Sequence, residues 1–215
     1  MSPSCRAPNA LSCERRAHNS CSRYGLPWGS PGWIDNQTGY YGPDQITYQV
    51  NWLKCARDTH GIDVDWLGLW NERPWGNPSF VKDLRAAIDA EGMKTKLVLG
   101  DGGMPNVLDY ENDTDFMASF DAVGLHYPCS ADHLKGSGPG LIAAGKAVWA
   151  SEDWWSEAEW GGAACWAKLF NQNFIRANLT STISWSTIWS VYPVVDVFEG
   201  NGDSLSGDGY WGPGL

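Results

Sequence analysis

From residue 24 onward, short apolar runs alternate with helical patterns, and this alternation constrains the fold more than any other feature of the chain. The runs at 63–70, 94–102 and 120–128 have the length of buried strands. Segments with the apolar spacing of helices separate them. Repeated strand and helix units of this kind are typical of a parallel sheet.

Five or six such units are predicted. Strands are expected at 24–28, 63–70, 94–102, 120–128, 146–154 and 181–189. Pro43 is expected to open one helix, because proline suits the first helical turn. Ser79 is expected to cap a second helix, which Gly92 stops. A third helix is predicted at about 162–178.

The predicted fold is therefore α/β, a (β/α)8 barrel that is incomplete, with about six of the eight βα units. The chain has 215 residues, whereas a complete barrel typically takes about 250. Residues 24–190 are assigned to the partial barrel domain, 1–23 to a leader expected to be disordered, and 191–215 to a glycine-rich tail. An open parallel sheet leaves unpaired edges, so we expect low stability in isolation.

The charge balance argues against one class of partner. The net charge is −10 and no cluster of Lys or Arg lies on a predicted element, whereas nucleic-acid binding needs a basic surface. No apolar run approaches the length of a transmembrane helix, and the start lacks the apolar core of a signal peptide. Sequons at Asn36, Asn112 and Asn178 nevertheless favour a secretory protein.

Cysteine and histidine positions give little support to a metal site. No two cysteines have Cys-X-X-Cys spacing, and the four histidines are scattered along the chain. We therefore expect no metal and no cofactor.

Two glutamates each follow an apolar run in a tryptophan-rich setting. Glu72 lies in LGLWNERPW at 67–75, and Glu152 lies in VWASEDWW at 148–155. Glycoside cleavage needs two carboxyl groups flanking one bond, one to protonate the leaving oxygen and one to attack the anomeric carbon or activate water. Because both glutamates follow predicted parallel strands, they are expected to meet at one mouth of the barrel.

The two carboxyl groups need different environments. Trp70 and Trp75 flank Glu72, and apolar neighbours favour the protonated form that an acid catalyst requires. Glu152 would then be the nucleophile. The alternative for either glutamate taken alone is an acidic residue that favours the N-terminus of the next helix.

Further candidate site residues lie at the predicted strand ends. These are Trp28, Asp101, His126, Tyr127 and Trp185. Sugars stack on indole rings, and fourteen tryptophans are present, so Trp28 and Trp185 are the expected platforms. Asn71 is a candidate donor to a sugar hydroxyl. His126 and Tyr127 are expected to orient or tune Glu152, although plain core packing is an equal alternative.

The remaining tryptophans give a prediction about the core. Trp52, Trp66 and Trp166 lie within predicted elements rather than at their ends, and we expect them to be buried.

Region 24–190 resembles glycoside hydrolase family 59. The resembling segments are GLPWGSPGW (25–33), DVDWLGLWNER (63–73), VGLHYP (123–128), WASEDW (149–154), GAACWAKLFNQNFI (162–175) and TSTISW (180–185). They are spread over roughly three quarters of the chain. The order and spacing of the Trp-Asn-Glu-Arg and Ser-Glu-Asp elements make the resemblance specific.

The resemblance implies a retaining β-galactosidase that acts on galactosylceramide and related galactolipids. Glu72 matches the acid/base, Glu152 the nucleophile, Asn71 and Trp28 sugar-binding positions, and Trp185 a ring-stacking position. It also implies a lysosomal or secreted enzyme, without a cofactor, to which a saposin-like protein presents the lipid.

The chain also departs from the family. The family has two further barrel units before residue 25 and additional domains after the barrel, so the resemblance implies a fragment. The alternative function is accordingly a truncated, non-catalytic relative or a gene-model fragment that at most binds galactose.

Overall fold

A computed structural model describes residues 22–37, 39–127, 138–153, 160–176 and 178–184. The strands are β1 (Tyr24–Gly25), β2 (Trp66–Gly68), β3 (Lys96–Gly102), β4 (Ala122–His126), β5 (Ala147–Asp153) and β6 (Ser181–Ser184). The α-helices are α1 (Gly32–Gln37), α2 (Pro43–His60), α3 (Pro78–Ala90), α4 (Thr114–Ala118), α5 (Gly138–Ala143) and α6 (Trp160–Asn171). A 3₁₀ helix spans Val107–Tyr110, and a π-helix, Gln172–Arg176, follows α6. The predicted tail, Trp185 and residues 1–21 of the predicted leader lie outside the described residues.

The six strands form one sheet in the order in which they occur in the chain. Every neighbouring pair is parallel. This curled sheet with helical connections confirms the predicted incomplete α/β barrel. Each of the six predicted strands is present, although β2 is shorter than the run at 63–70 from which it was predicted.

Irregular register marks the C-terminal ends of the central strands. The pairing shifts between Gly100 and Gly102 on β3 and between Leu125 and His126 on β4. A further shift lies between Ala150 and Asp153 on β5. Such bulges redirect side chains and occur next to functional sites, and all three lie near the C-terminal ends of β3, β4 and β5.

The helices cover the sheet through apolar faces. On α2, which Pro43 opens as predicted, Val50 and Leu53 are buried. On α3, Leu84 and Ile88 are completely buried, together with Leu97 and Leu99 of β3. This burial of aliphatic side chains is the main force that holds the helices on the sheet.

The predicted N-cap of α3 was wrong by two residues. Asn77 is the cap, and its side-chain oxygen accepts a hydrogen bond from the Phe80 N–H at 3.0 Å. Pro78 then occupies the first turn, where its missing N–H costs nothing. Asparagine caps as well as serine does, so residue preference alone did not separate the two positions.

Tryptophan burial also differs from expectation. Trp52 is 45% exposed, whereas Trp75 and Trp149 are buried. Trp66 and Trp166 are partly buried. Within the described residues, no helix combines the length and the apolar character needed to cross a membrane.

Candidate active site

Glu72 lies in the loop that follows β2, in a backbone conformation that favours glycine. Its φ is +51°, and its N–H donates a hydrogen bond to the Asp101 carbonyl oxygen at 2.7 Å. This bond ties the loop to the end of the neighbouring strand. The Glu72 side chain is 54% exposed, so it projects into a space that a solute can enter.

Glu152 lies within β5, and its side chain is only 7% exposed. The Tyr127 hydroxyl donates a hydrogen bond to Glu152 Oε1. The Tyr127 N–H donates to the Glu152 carbonyl oxygen at 2.8 Å. Burial, followed by the hydrogen bond to Glu152, raises the pKa of Tyr127, so the phenol stays protonated and remains a donor to this carboxylate.

His126, the last residue of β4, lies between the two glutamates. Its Nδ1 is 3.4 Å from Glu72 Oε1 and 3.8 Å from Glu152 Oε2. One carboxylate oxygen of each glutamate and one nitrogen of His126 all lie within 4.8 Å of one another. The fold therefore brings together two carboxyl groups that are distant in the chain, with an imidazole beside both.

Asp101 and Tyr24 lie next to this cluster. Asp101 was expected at the mouth of the barrel, but the sequence assigned neither residue a catalytic role. Asp101, at the end of β3, is completely buried, and the Tyr24 hydroxyl of β1 donates a hydrogen bond to its Oδ1 at 2.6 Å. His126 Nε2 faces the same oxygen at 4.0 Å. An acidic residue directly after a buried apolar run is the sequence signal that points to such a group.

Asp153 forms a second buried polar contact beside Glu152. It accepts a hydrogen bond from Asn173 at 2.8 Å, and both residues are buried. Burial raises the pKa of Asp153 to about 6, against the opposing effect of the Asn173 hydrogen bond. No sequence feature assigned either residue a role.

Asn71, the candidate donor to a sugar, is buried beside Glu72. Its side chain carries a buried carbonyl oxygen that has no hydrogen-bond partner within the part of the chain that the structure describes. The Asn71 N–H donates to the Pro27 carbonyl oxygen at 2.9 Å. The residue is therefore fixed by its backbone while its amide retains hydrogen-bonding capacity.

The flanking tryptophans do not enclose Glu72 as expected. Trp70 stacks on Tyr40 with ring centroids 3.6 Å apart, and Trp75 stacks on Phe116 at 5.3 Å. Because both rings pack against other aromatic side chains and not around Glu72, the Glu72 carboxyl is open to solvent.

Trp28, the predicted sugar platform at the end of β1, is 57% exposed. It lines a groove of about 250 Å³ together with Tyr48 and Trp52. Neither glutamate is among the residues that line this groove. Trp185, the second predicted platform, lies outside the described residues.

Glu72, His126 and Glu152 also have the composition of a metal-binding set. Each offers one ligand atom, and these atoms are close enough for one ion to contact all three. Glu152 Oε1 already accepts the Tyr127 hydrogen bond, so an ion would have to use the other oxygen or displace the phenol.

Comparison with known proteins shows which family the chain resembles. The family model of glycosyl hydrolase family 59 matches residues 11–202. Galactocerebrosidase of Mus musculus is 33% identical over 173 residues, which is 78% of this chain and 24% of the relative. Galactocerebrosidase of Homo sapiens is 34% identical over 175 residues, 78% of this chain and 24% of the relative. The chain thus spans about a quarter of the length of the curated relatives it matches.

Solved structures give the same fold at lower identity. SrfJ from Salmonella typhimurium superposes with a TM-score of 0.60 at 18% identity, covering 76% of this chain and 44% of the other. A family 30 endoxylanase from Clostridium papyrosolvens superposes with a TM-score of 0.55 at 17% identity, covering 78% and 49%. Because the family model matches residues 11–202, which is most of the chain, the chain belongs to glycosyl hydrolase family 59.

Proposed function

We propose that this chain carries the catalytic centre of a retaining β-galactosidase that cleaves galactosylceramide and related galactolipids. Glu72 is the acid/base and Glu152 is the nucleophile. The galactose part of this proposal rests on the relatives, which are named galactocerebrosidases. The reaction type rests on the arrangement of the two carboxyl groups.

The observation that carries the proposal is the short separation of the glutamates, whose nearest carboxylate oxygens lie within 4.8 Å. Retaining glycosidases place their carboxyl groups about 5 to 5.5 Å apart, whereas inverting enzymes leave about 6.5 to 9.5 Å for a water molecule. The oxygen-to-oxygen limit of 4.8 Å lies below the range of inverting enzymes, so it favours direct attack by one carboxylate.

The surroundings of the two glutamates support the assignment of their roles. Glu152 accepts a hydrogen bond from Tyr127, which holds its carboxyl group in the fixed orientation that a nucleophile needs. Glu72 is exposed on one side and next to His126 on the other. That position suits a group that exchanges protons with a leaving oxygen and later with water.

The reaction follows in two steps. The Glu152 carboxylate attacks the anomeric carbon while the bond to the leaving oxygen breaks, and Glu72 gives its proton to that oxygen. A galactosyl ester of Glu152 results. Glu72, now ionised, takes a proton from water, the oxygen of that water attacks the anomeric carbon, and the Glu152 carboxylate leaves. The two inversions retain the β configuration.

The sugar contacts are part of the same proposal. The buried Asn71 side-chain oxygen has no partner among the described residues, which supports its accepting a hydrogen bond from a galactose hydroxyl. Trp28 and Trp185 remain the proposed stacking platforms, His126 and Tyr127 the supporting residues. A lysosomal or secreted location and presentation of the lipid by a saposin-like protein belong to the same proposal, and they rest on the resemblance to the family alone.

A chromogenic β-galactoside at acid pH tests the proposal. The 215-residue chain is assayed beside a longer version that contains the remaining family domains. Turnover by both supports an active chain, and turnover by the long version alone supports the site but not the activity of this piece. Absence of turnover in both contradicts the proposal.

A second function remains in competition, a non-catalytic relative that binds galactose. Within the described residues β1 pairs only with β2, so one edge of the sheet is open. Galactose binding by isothermal titration, without turnover in either version, would favour this alternative.

A further inference from the structure

Asp101 is a buried acidic residue that the proposed reaction does not use. It is completely buried at the end of β3, and its φ of +55° is one that side-chain-bearing residues rarely adopt. Burial raises the pKa of its carboxyl, and the hydrogen bond from Tyr24 opposes this effect. Such a costly placement of an ionisable group persists where the surrounding structure is built for it.

The strands on both sides of β3 leave room for this carboxyl. A Cβ atom added to Gly68 of β2 would lie 2.5 Å from Asp101 Oδ2 and 2.5 Å from the Tyr24 hydroxyl. A Cβ atom added to Gly124 of β4 would lie 2.7 Å from Asp101 Oδ1. A Cβ atom on either glycine would therefore collide with Asp101, and it would also collide with Leu26 at Gly68 and with Ser151 at Gly124.

His126 connects this buried carboxyl to the catalytic pair. Its side chain is 3% exposed. Its Nε2 faces Asp101 Oδ1 at 4.0 Å and has no hydrogen-bond partner within the described residues. Its Nδ1 lies 3.4 Å from Glu72 Oε1 and 3.8 Å from Glu152 Oε2. The imidazole thus has one nitrogen towards Asp101 and the other towards the two glutamates, with the proposed acid/base the nearer.

In a neutral imidazole one nitrogen donates and the other accepts, and the partner of one nitrogen fixes the role of the other. The Asp101 oxygen that faces Nε2 acts as an acceptor in its bond with Tyr24. The 4.0 Å separation is longer than a hydrogen bond, and the acceptor oxygen favours a proton on Nε2 through its electrostatic attraction. Nδ1 then carries the lone pair and can accept the proton of the Glu72 carboxyl.

We propose that Asp101 is a positioning residue that holds the proton of neutral His126 on Nε2, so that Nδ1 accepts from the protonated carboxyl of Glu72. This inference rests on the proposed function, in which Glu72 must stay protonated until the leaving oxygen arrives. It extends that function by one residue, which touches neither substrate nor reacting atoms.

The first test reads the tautomer directly and needs no turnover. Long-range ¹H–¹⁵N spectra of the histidine rings, recorded on the full chain between about pH 5 and pH 8, distinguish the two neutral forms. The His126 signals are those missing from a His126→Gln sample. We expect the Nε2–H form in the unmodified chain, and the Nδ1–H form there would overturn the proposal even if no variant folds.

Variants of Asp101 supply the matched comparison. Asp101→Ala removes the acceptor, and the Nδ1–H form should appear. Asp101→Asn keeps an acceptor oxygen and should preserve the Nε2–H form. Asp121→Ala is the control, because Asp121 accepts a hydrogen bond from the Leu97 N–H at the opposite end of the strands and should change stability only. An unchanged tautomer in Asp101→Ala contradicts the proposal.

A pH profile of kcat/KM provides the second readout. Several other ionisable groups lie near His126 or its carboxyl neighbours: Tyr24, Glu72, Tyr127, Glu152 and Asp153. They are the same in every Asp101 variant, so they do not account for a difference between the variants. In Asp101→Ala the alkaline limb should move to lower pH, and turnover of a substrate with a poor leaving group should fall by roughly tenfold. Asp101→Asn should restore both, and a failure to do so contradicts the role of the acceptor.

The two readouts separate this inference from the function on which it rests. A chain without β-galactosidase activity that nevertheless shows the Asp101-dependent tautomer would overturn the proposed function alone. An active chain whose His126 tautomer does not respond to Asp101→Ala would overturn the positioning role alone.

Discussion

The two sides of the site are built differently, although both present a glutamate. On the β5 side, Glu152 is almost fully buried and accepts a hydrogen bond from Tyr127. On the β2 side, Glu72 lies in a loop with more than half of its side chain exposed, and His126 Nδ1 lies 3.4 Å from its carboxyl oxygen. One carboxyl group is held by the protein, and the other is open to solvent.

This difference matches two different chemical tasks. A nucleophile must meet one carbon atom in one direction, so a fixed carboxylate with a dedicated donor suits it. An acid/base must exchange its proton with a leaving oxygen and then with water, which requires access. The contrast is a hypothesis about roles, and each prediction below tests one part of it in a version of the protein that turns over a β-galactoside.

The largest effect is expected from removing the fixed carboxylate. Glu152→Gln keeps the size of the side chain but cannot attack the anomeric carbon, so turnover should fall by roughly ten-thousand-fold or more. Galactose binding, measured by calorimetry, should survive. Near-normal turnover in this variant would remove Glu152 as nucleophile and with it the proposed mechanism.

The next effect should depend on the substrate. Glu72→Gln cannot protonate a leaving oxygen, so hydrolysis of an alkyl galactoside should fall by about a hundredfold or more. An activated aryl galactoside needs no such proton, and its first step should change much less. Comparing kcat/KM for the two substrates measures this, and equal losses for both would contradict the assigned role.

A smaller effect is expected from the donor to Glu152. Tyr127→Phe removes the hydroxyl but keeps the ring, and a hydrogen bond to a charged group contributes about 1.5 to 3 kcal/mol. This corresponds to a loss of roughly ten- to a hundredfold in kcat/KM. Tyr110→Phe, an exposed tyrosine on the 3₁₀ helix, is the control and should leave kinetics unchanged. Equal kinetics in both variants would mean that Tyr127 does not hold Glu152.

Sequence patterns predicted the elements better than the tertiary contacts. The alternation of apolar runs and helical spacing was sufficient for all six strands, because strand length and periodicity are local properties. The cap of α3 was missed, since Asn77 and Ser79 have similar preferences for that position. Trp52 was expected in the core and is 45% exposed, which depends on packing that no local pattern specifies.

The sequence predicted the two carboxyl groups of the candidate site but not the residues that contact them. Glu72 and Glu152 follow apolar runs, and parallel strands end on one face, so their proximity could be expected. The environment of Glu72 was not predictable, because Trp70 and Trp75 turn into the packed interior. The contacts of Asp101 with Tyr24 and of Asp153 with Asn173 join strands and helices that are remote in sequence, and no spacing rule indicates them.

Asp153 should make stability depend on pH. Burial raises its pKa to about 6 in the folded chain, above the ordinary value of about 3.9. The folded state therefore binds this proton more tightly than the unfolded state does. That contribution is fully present below about pH 4 and is lost as the pH rises through about 6.

The measurement is urea unfolding of the unmodified chain and of Asp153→Asn between about pH 4 and pH 7. The free energy of unfolding of the unmodified chain, relative to the variant, should fall by on the order of 1 to 2 kcal/mol over this range, allowing for solvent screening. A difference that stays flat or rises would contradict the raised pKa and with it the enclosed character of the β5 side.

The smallest effect is expected from removing metal ions, because we expect catalysis to require none. Although Glu72, His126 and Glu152 lie within 4.8 Å of one another, the proposed reaction uses both carboxyl groups directly, and an ion bound to them would block the nucleophile. Treatment with EDTA should therefore leave kcat unchanged, while added zinc should inhibit by competing with substrate, because carboxylate and imidazole are zinc ligands. Zinc inhibition should weaken in a His126→Gln variant with residual activity. Loss of turnover in EDTA that zinc restores would instead make this cluster a catalytic metal site.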